Sequence, residues 1–400
     1  MNIKFSPPDI SQAEIDEVTD TLRSGWITTG PKTKKFENEI AKYCRVSKAV
    51  CLNSATAGLE LVLRLANIGE GDEVITSAYT YTASASVIKH VGAKIVLCDI
   101  QKNSLEMDYD KLEKLITNKT KAIIGVDIAG VIANYKKIID VAKKHKKIFE
   151  PNSEIQKALG RMLVIADAAH SYGAHQNGIM SGAIADFTVF SFHAVKNLTT
   201  AEGGAVVWKD IKSINNEDIY RQLMNLSLHG QNKDALEKSK NNAWEYDILT
   251  LGYKCNMTDI VASIGLVQLK RYDAMLKRRA EIFNKYVQEL SSQDVEFIQQ
   301  ENGDSCGSYH LCLVNFKKFD ESKRNEFIVQ LSQKGVPLNV HYKPLPMLTA
   351  YKNEGFKIEN FPVAYNRYKN MVTLPLHTLL TDEEVIYIIQ QIKEVYANFS

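Results

Sequence analysis

The sequence predicts an α/β fold with a mainly parallel sheet, followed by a smaller α+β region. Through the first 210 residues, short apolar runs alternate with amphipathic segments, which is typical of a parallel sheet covered by helices on both faces. The texture changes near residue 215, and 400 residues are too many for one small core. We therefore predict a large domain at 1–250 and a smaller α+β domain at 251–400, leaving open whether the N-terminal segment packs on the smaller one.

Each predicted element comes from its own periodicity and its bounding turn residues. In the large region we predict strands at 48–52, 72–76, 94–98, 121–126, 162–166, 187–190 and 204–207, and helices at 57–65, 82–91, 109–116 and 135–145. The polar segment 231–246 is predicted to be a loop. In the C-terminal region we predict helices at 259–268, 271–290, 323–334 and 382–399, and strands at 311–316 and 336–340.

Composition narrows the class of protein. A hydrophobic content of 45%, a charged content of 24% and a formal net charge of +2 fit a globular protein without a basic nucleic-acid surface. No apolar run approaches the roughly 18 residues of a membrane span, and the start lacks the apolar core of a signal peptide. The six cysteines form no C-x-x-C pair. We expect a cytoplasmic protein with reduced thiols and no metal site.

Lys196 is the first candidate for chemistry. It lies five residues after Ser191, where a β-rich run ends, and shortly before the pair Gly203-Gly204. A lysine at the exit of a buried strand can lose its proton by desolvation and attack a carbonyl. The aldehyde of pyridoxal 5'-phosphate (PLP) is the obvious carbonyl, and Ser191 would touch its phosphate. The alternative is an ordinary solvated lysine, one of 49 Lys and Arg residues.

Two other strand exits carry side chains that suit PLP. Asp167 ends a predicted strand, and a buried carboxylate there needs a partner such as a protonated pyridine nitrogen. His170, three residues later, would face the phenolic oxygen of the cofactor. Tyr81 follows the strand that begins at Asp72, and its ring would stack on the pyridine. Each residue also has an ordinary alternative: Asp167 caps the helix that follows, and Tyr81 is a core aromatic.

A small-residue loop precedes the helix predicted at 57–65. Ser54, Ala55 and Thr56 would let backbone N–H groups approach a phosphate at the positive end of the helix. The alternative is an ordinary N-cap formed by Ser54. The spacing excludes a Walker A loop.

Together these segments resemble the DegT/DnrJ/EryC1/StrS family of fold-type I PLP-dependent sugar aminotransferases. The matching segments run in order along nearly the whole chain: S-G-W-I-T-T-G-P at 24–31, N-S-A-T-A at 53–57, D-A-A-H at 167–170, S-F-H-A-V-K at 191–196 with E-G-G at 202–204, G-Y-K-C-N-M-T-D at 252–259, H-Y-K-P at 341–344 and L-P-L-H at 374–377. The lysine motif with E-G-G is the most specific of them.

The resemblance implies a role for each matched position. Lys196 would form the Schiff base with PLP and move the proton during transfer, which makes Lys196, Asp167 and His170 the catalytic set. The cofactor-binding set would add Ala55, Thr56 and Ser191 at the phosphate, and Tyr81 at the ring. Lys254 would reach the phosphate of the neighbouring subunit, so the resemblance implies a homodimer with shared active sites.

The resemblance also implies the reaction. L-glutamate would convert PLP to pyridoxamine 5'-phosphate, which would then aminate a keto group of a nucleotide-linked deoxy sugar, with C4 favoured, for lipopolysaccharide, other surface polysaccharide or glycan biosynthesis. The residues expected to contact the substrate are Thr28, Lys32, His341, Tyr342 and Lys343. Amination at C3 is the alternative. A PLP-dependent sugar dehydratase is disfavoured because such relatives typically carry histidine in place of Lys196, and a non-enzymatic regulator because no helix-turn-helix extension is visible.

The chain departs from the family pattern in four places. Asp127 stands where histidine is usual in V-H-x-x-G, and residues 149–160 resemble an insertion. Ala201 replaces a frequent glycine, and Pro346 stands where a second histidine often follows H-Y-x-P. Asp127, the insertion and Pro346 are candidates for altering sugar selection.

Overall fold

A computed structural model of the chain describes residues 1–239 and 245–399. Residues 240–244 of the predicted loop lie outside the described residues. The helices are α1 Gln12–Arg23, α2 Pro31–Cys44, α3 Ala55–Leu65, α4 Ala83–His90, α5 Tyr109–Leu115, α6 Tyr135–Lys144, α7 Glu154–Leu159, α8 Asn216–Ser227, α9 Ala235–Lys238, α10 Asp259–Leu290, α11 Glu321–Gln333, α12 Thr349–Asn353, α13 Pro362–Tyr368 and α14 Asp382–Ala397. The strands are β1 Ala49–Leu52, β2 Glu73–Ser77, β3 Lys94–Cys98, β4 Thr120–Val126, β5 Leu163–Asp167, β6 His175–Gln176, β7 Ile179–Met180, β8 Phe187–Ser191, β9 Gly204–Trp208, β10 Val295–Phe297, β11 Glu301–Asn302, β12 Ser305–Cys306, β13 Cys312–Phe316 and β14 Met371–Leu374.

A seven-stranded sheet dominates the fold, in the order β1-β9-β8-β5-β4-β2-β3. β9 pairs antiparallel with both of its neighbours, while the pairs from β8 to β3 are parallel. The carboxyl ends of β1, β2, β4, β5 and β8 therefore lie at one edge, together with the start of β9. The predicted α/β class with a mainly parallel seven-stranded sheet is confirmed.

Apolar side chains on both faces of this sheet explain its near-continuous hydrophobic strands. On one face, α3, α4 and α8 contribute buried residues such as Leu59, Val87 and Ile219 to a common core. On the other face, α2, α5, α6 and α10 contribute residues such as Phe36 and Ile138 to a second core. Every residue of β2, β5 and β9 is buried.

A three-stranded sheet, β10-β13-β14, organises the C-terminal region. Its core includes Phe283 of α10, Phe327 of α11 and Ile388 of α14, and Ile3 at the N-terminus joins the same cluster. The Ile3 backbone N–H donates to the Gly335 carbonyl at 2.9 Å. The predicted division between residues 250 and 251 stays a prediction.

Several elements differ from the sequence expectations. The helices predicted at 259–268 and 271–290 are one helix of 32 residues, because no helix-breaking residue interrupts the join. The strand predicted at 336–340 does not form; only Asn339 makes a bridge, to Thr373, and Pro337 has no N–H for a ladder. Helix α9 lies within the segment 231–246 that was predicted to be a loop. The elements that were not predicted are helices α1, α2, α7, α8, α12 and α13 and strands β6, β7, β10, β11, β12 and β14, although Ser11 and Glu14 form a capping box at the start of α1.

Membrane-spanning helices and metal-binding clusters are absent from the residues that the structure describes. Among them, no helix has the length and apolar character needed to cross a membrane. Within the same ranges, no three His, Cys, Asp or Glu side chains cluster in a way that would hold a metal ion. The six cysteines are free thiols.

A buried ion pair at the amino ends of β5 and β8 offers a test of this packing. The Arg161 guanidinium binds both oxygens of Asp186 at 2.7 Å, and the two side chains are 8% and 6% exposed. We expect Asp186→Asn to lower the free energy of unfolding by about 3 to 5 kcal/mol, because it leaves a buried cation without its counter-charge. The control Asp140→Asn breaks an exposed pair with Lys136 and should cost less than about 1 kcal/mol. Urea denaturation measures both, and equal losses would contradict the expectation.

Candidate active site

The carboxyl edge of the large sheet opens into a cavity of about 350 Å³, within the range of small-molecule sites. The strands that converge there bring together most of the residues predicted for the site. The predicted residues that line the cavity are Ala55, Thr56, Tyr81, Asp167, His170, Ser191, Lys196, His341 and Tyr342. Residues far apart in sequence thus meet around one space large enough for a cofactor and part of a substrate.

Lys196 lies in the loop that follows β8. Its backbone N–H donates to the His193 carbonyl at 2.8 Å, and Phe192 bonds Gly203 and Thr200 across the same loop, which fixes the backbone. Burial lowers the pKa of the Lys196 amine to about 8, and the nearby Asp167 carboxylate opposes that shift. An amine in this state is unprotonated in part near neutral pH and can act as a nucleophile or a base.

Asp167 ends β5 and is 6% exposed. Its Oδ2 accepts a hydrogen bond of 2.6 Å from the Ser84 hydroxyl, and its Oδ1 accepts one of 3.3 Å from the Ala169 N–H. Thr80 lies 2.9 Å from the Ser84 hydroxyl and extends this chain. Burial raises the pKa of Asp167, whereas Ser84, Ala169 and Lys196 act in the opposite direction. A buried carboxylate with so few donors suits a cationic partner in the cavity.

His170 lies beside Asp167 and is also buried. Its Nδ1 accepts the Ala129 N–H at 3.3 Å, and its Nε2 lies 3.1 Å from the Tyr342 hydroxyl. Burial lowers the pKa of His170 well below its usual value, and Lys196 and His341 add to the effect. The ring is therefore neutral at physiological pH.

The N-terminus of α3 forms the opposite wall. Ser54 caps this helix, accepting the Ala57 N–H at 3.1 Å, so the N-cap alternative holds for Ser54 itself. The N–H groups of Ala55 and Thr56, in the first turn, have no intrahelical partners and are available to an anion. A Cβ at Gly204 would lie 2.5 Å from the Ala55 nitrogen, so glycine allows β9 to approach this turn closely. Ser191 lines the cavity on the same side.

Four predicted site residues do not line the cavity of the described chain. Lys32 pairs with Glu17 at 2.8 Å and with Asp20 at 2.7 Å. Thr28 is exposed, and its carbonyl accepts the Asp259 N–H at 3.0 Å, while Lys343 is exposed near the cavity rim. Lys254 is exposed and hydrogen-bonded to Asn256. The roles of these four residues stay predictions.

The four departures from the family pattern fall in different places. Asp127 lines the cavity, and Pro346 is buried in a short 3-10 helix at 345–347. Ala201 has φ of 70°, the left-handed region that a glycine at this position would favour. The segment 149–160 lies at the opposite edge of the sheet, where the Glu150 carbonyl accepts from Lys121 at the start of β4. The insertion is therefore remote from the cavity.

Sequence reasoning missed three residues that shape the site. Ser84 holds Asp167, His310 packs against His170 with ring centroids 4.3 Å apart, and Asn197 bonds His310 at 3.0 Å. His310 comes from the C-terminal region and Ser84 from the first turn of α4. No local motif marks either one, although Asn197 adjoins Lys196 in the lysine segment.

The donor set fits PLP. Four features surround one cavity: the half-buried amine of Lys196, the buried carboxylate of Asp167, a helix N-terminus with free N–H groups and the exposed aromatic ring of Tyr81. Lys196 would hold the aldehyde carbon, Asp167 the ring nitrogen, and Ala55, Thr56 and Ser191 the phosphate. The fold and this constellation define a PLP-dependent transferase of fold type I.

The chain belongs to the DegT/DnrJ/EryC1/StrS aminotransferase family, whose sequence profile matches residues 8–393. Spr1654 from Streptococcus pneumoniae, assigned as a sugar aminotransferase, is 52% identical in its PMP-form structure, with a TM-score of 0.96 over 99% of this chain and 100% of that one. Its PLP-form structure is 51% identical, with a TM-score of 0.96 over 100% of this chain and 99% of that one.

Two further relatives match over nearly their full length. The spore coat polysaccharide biosynthesis protein SpsC of Bacillus subtilis is 37% identical over 403 residues, which is 98% of this chain and 97% of SpsC. The uncharacterised protein MJ1066 of Methanocaldococcus jannaschii is 38% identical over 392 residues, covering 97% and 96% of the two chains. The chain is a sugar aminotransferase that uses PLP, as the sequence resemblance predicted.

The lowered pKa of Lys196 predicts how cofactor loading depends on pH. Only the unprotonated amine attacks the aldehyde, so the rate at which the apoenzyme gains the absorbance of bound PLP should rise with pH around a midpoint near 8. Because the Asp167 carboxylate raises the pKa of Lys196, Asp167→Asn should move this midpoint to lower pH. Stopped-flow absorbance at a series of pH values measures both, and a midpoint near the ordinary lysine value of about 10.4 would contradict the expectation.

Proposed function

We propose that this enzyme transfers an amino group from L-glutamate to the keto group of a nucleotide-linked deoxy sugar, with C4 favoured over C3. One observation carries the proposal: Lys196 and the buried Asp167 line one cavity with the proposed phosphate-binding turn, and burial there lowers the pKa of the Lys196 amine to about 8. The form G-Y-K-C-N-M-T-D at 252–259 supports C4, because it resembles the branch that aminates 4-keto sugars.

Each residue of the site has a separate role in the proposed amino transfer. PLP, when bound, supplies an electron sink that makes the proton on the reacting carbon acidic. Lys196 would move that proton between the reacting carbon of the substrate and C4′ of the cofactor, which its lowered pKa favours. Asp167 would hold the protonated ring nitrogen, and His170 would face the side of the phenolic oxygen. Tyr81 would cover the ring face.

The proposed sugar product would feed a surface polysaccharide, such as lipopolysaccharide or capsule, or a glycan, in the cytoplasm. The relation to a spore coat polysaccharide protein supports a place in polysaccharide assembly. His341 and Tyr342 line the cavity and are proposed to contact the sugar. Lys32, Lys343 and Thr28 are proposed to contact the nucleotide end.

Absorbance with defined substrates tests the reaction. Purified enzyme with PLP should change from the PLP to the pyridoxamine form when L-glutamate is added, and a 4-keto nucleotide sugar should reverse the change faster than a 3-keto sugar. Lys196→Ala should abolish turnover, with a loss of at least about 1,000-fold for removal of a group with covalent and acid–base roles. Lys212→Ala removes an exposed lysine and serves as the control. A PLP form that ignores L-glutamate would point to another amino donor, and a Lys196→Ala enzyme with wild-type turnover would exclude the role of Lys196.

We also propose a homodimer in which Lys254 completes the phosphate site of the neighbouring subunit. Exposure of Lys254 and of the apolar residues around it supports this, since Leu251 is 92% and Leu249 is 59% exposed. Such apolar exposure is typical of a surface that another chain covers.

Mixed dimers test the shared site. In a hybrid of a Lys196→Ala chain and a Lys254→Ala chain, one of the two sites would contain both native lysines. Mixing two weakly active homodimers should therefore restore about a quarter of wild-type activity, the share expected from random pairing with one active site per hybrid. Activity that stays at the mean of the two parents would contradict a shared site.

A further inference from the structure

A chain of hydrogen bonds leads from the backbone of Ala129 through His170 to Tyr342. The Ala129 N–H lies 3.3 Å from His170 Nδ1, and His170 Nε2 lies 3.1 Å from the Tyr342 hydroxyl. All three residues are buried or nearly so, and His170 and Tyr342 line the cavity.

A backbone N–H can only donate, so Nδ1 of His170 must accept and carries no proton. The neutral ring then carries its proton on Nε2, which donates to the oxygen of Tyr342. Burial, Lys196 and His341 lower the pKa of His170 well below its usual value, which keeps the ring neutral. The hydrogen of the Tyr342 hydroxyl therefore cannot point at His170.

Neighbouring residues hold the backbone and the ring of His170 in place. The Ser308 hydroxyl donates to the His170 carbonyl, and the His310 ring packs on the His170 ring with centroids 4.3 Å apart. The Asn197 amide donates to the Ser308 carbonyl at 2.7 Å, so its oxygen accepts from His310 Nδ1 at 3.0 Å. The imidazole of His170 cannot turn without losing its packing on His310 and its hydrogen bonds with the Ala129 N–H and the Tyr342 hydroxyl.

Among the described residues, no acceptor lies within hydrogen-bond distance of the Tyr342 hydroxyl proton. We propose that Tyr342 presents this proton to the keto oxygen of the bound sugar, and that His170 is the positioning residue that directs it. The Tyr342 ring lies 5.7 Å from that of Tyr81, beside the proposed cofactor face, where a sugar carbonyl must approach to react.

The inference rests on the proposed function and assigns Tyr342 to one of its two half-reactions. A donor aimed at the keto oxygen polarises the carbonyl and stabilises negative charge as the amine adds to the carbon, and the oxygen finally leaves as water. L-glutamate carries no keto group when it reacts with the bound cofactor; its keto group forms only at the end of its half-reaction, when water adds and 2-oxoglutarate leaves. Tyr342 should therefore act at the start of the sugar half-reaction, and not in the earlier proton transfer by which glutamate removes the PLP absorbance.

The two half-reactions are measured separately with the holoenzyme. The PLP form is mixed with L-glutamate, the pyridoxamine form is mixed with a 4-keto nucleotide sugar, and single-turnover absorbance follows each. Tyr342→Phe should slow the sugar step by roughly 100-fold, the cost of one lost donor to a developing oxyanion. The rate at which glutamate removes the PLP absorbance, the cofactor affinity and the pH titration of the bound-cofactor absorbance should stay at wild-type values. Tyr365→Phe, which removes the hydroxyl of a partly exposed tyrosine on α13, is the matched control.

Variants of His170 test the positioning role. His170→Gln keeps one acceptor and one donor, so it should retain the sugar step within about tenfold, whereas His170→Ala should lose as much as Tyr342→Phe. Equal slowing of both half-reactions in Tyr342→Phe, or a shifted pH titration of its cofactor absorbance, would overturn the inference alone. Wild-type enzyme that takes the amino group from glutamate but leaves every keto sugar unchanged would overturn the proposed function as well.

Discussion

Removing one amine from water is the constraint on which this site depends. Lys196 is useful only while burial lowers its pKa, and the cost of that burial is limited by Asp167, whose negative charge acts in the opposite direction. The low-dielectric cavity destabilises the charged form of each group, since burial also raises the pKa of Asp167. Parallel pairing of β5 with β8 sets Asp167 opposite Val189, two residues before Ser191, so the sheet itself fixes the spacing between the acid and the lysine loop.

The C-terminal region is tied to this centre through a short turn at 128–130. The Ala129 carbonyl accepts from the N–H groups of His310 and Leu311, at 3.2 and 3.3 Å, and the Ala129 N–H bonds His170. Buried Arg279 of α10 binds the carbonyls of Tyr309, His310 and Leu376 at 3.0 to 3.3 Å, so it holds the segment that carries His310. The position of one imidazole in the active site thus depends on contacts between the turn at 128–130 and the C-terminal region.

Local patterns were enough to predict the strand-end residues of the site. Asp167, Ser191 and Ala55 each follow or end an apolar run, and the order of those runs places them at one edge of a parallel sheet. Ser84 and His310 could not be found in this way, because each meets the site through a contact with a residue far away in sequence. The prediction of a strand at 336–340 failed because apolar spacing does not show whether a ladder forms. Val336 and Leu338 pack into the C-terminal core and Val340 packs against the core of the large sheet, but only Asn339 makes a bridge.

Two of the departures from the family pattern, the insertion and Asp127, lie at different distances from the cavity. The insertion at 149–160 lies at the far edge of the sheet, so it has no direct route to the sugar. Asp127 lines the cavity, yet it is 1% exposed and its carboxyl already accepts from Ser171, Tyr135 and the Ala133 N–H at 2.6 to 3.0 Å. Burial raises the pKa of Asp127 to about 7 despite these donors. A carboxyl so fully engaged is poorly placed to bind a sugar hydroxyl. The turn that follows Asp127 lies closer to the chemistry, because the Ala129 N–H there binds Nδ1 of His170, whose Nε2 lies 3.1 Å from the Tyr342 hydroxyl.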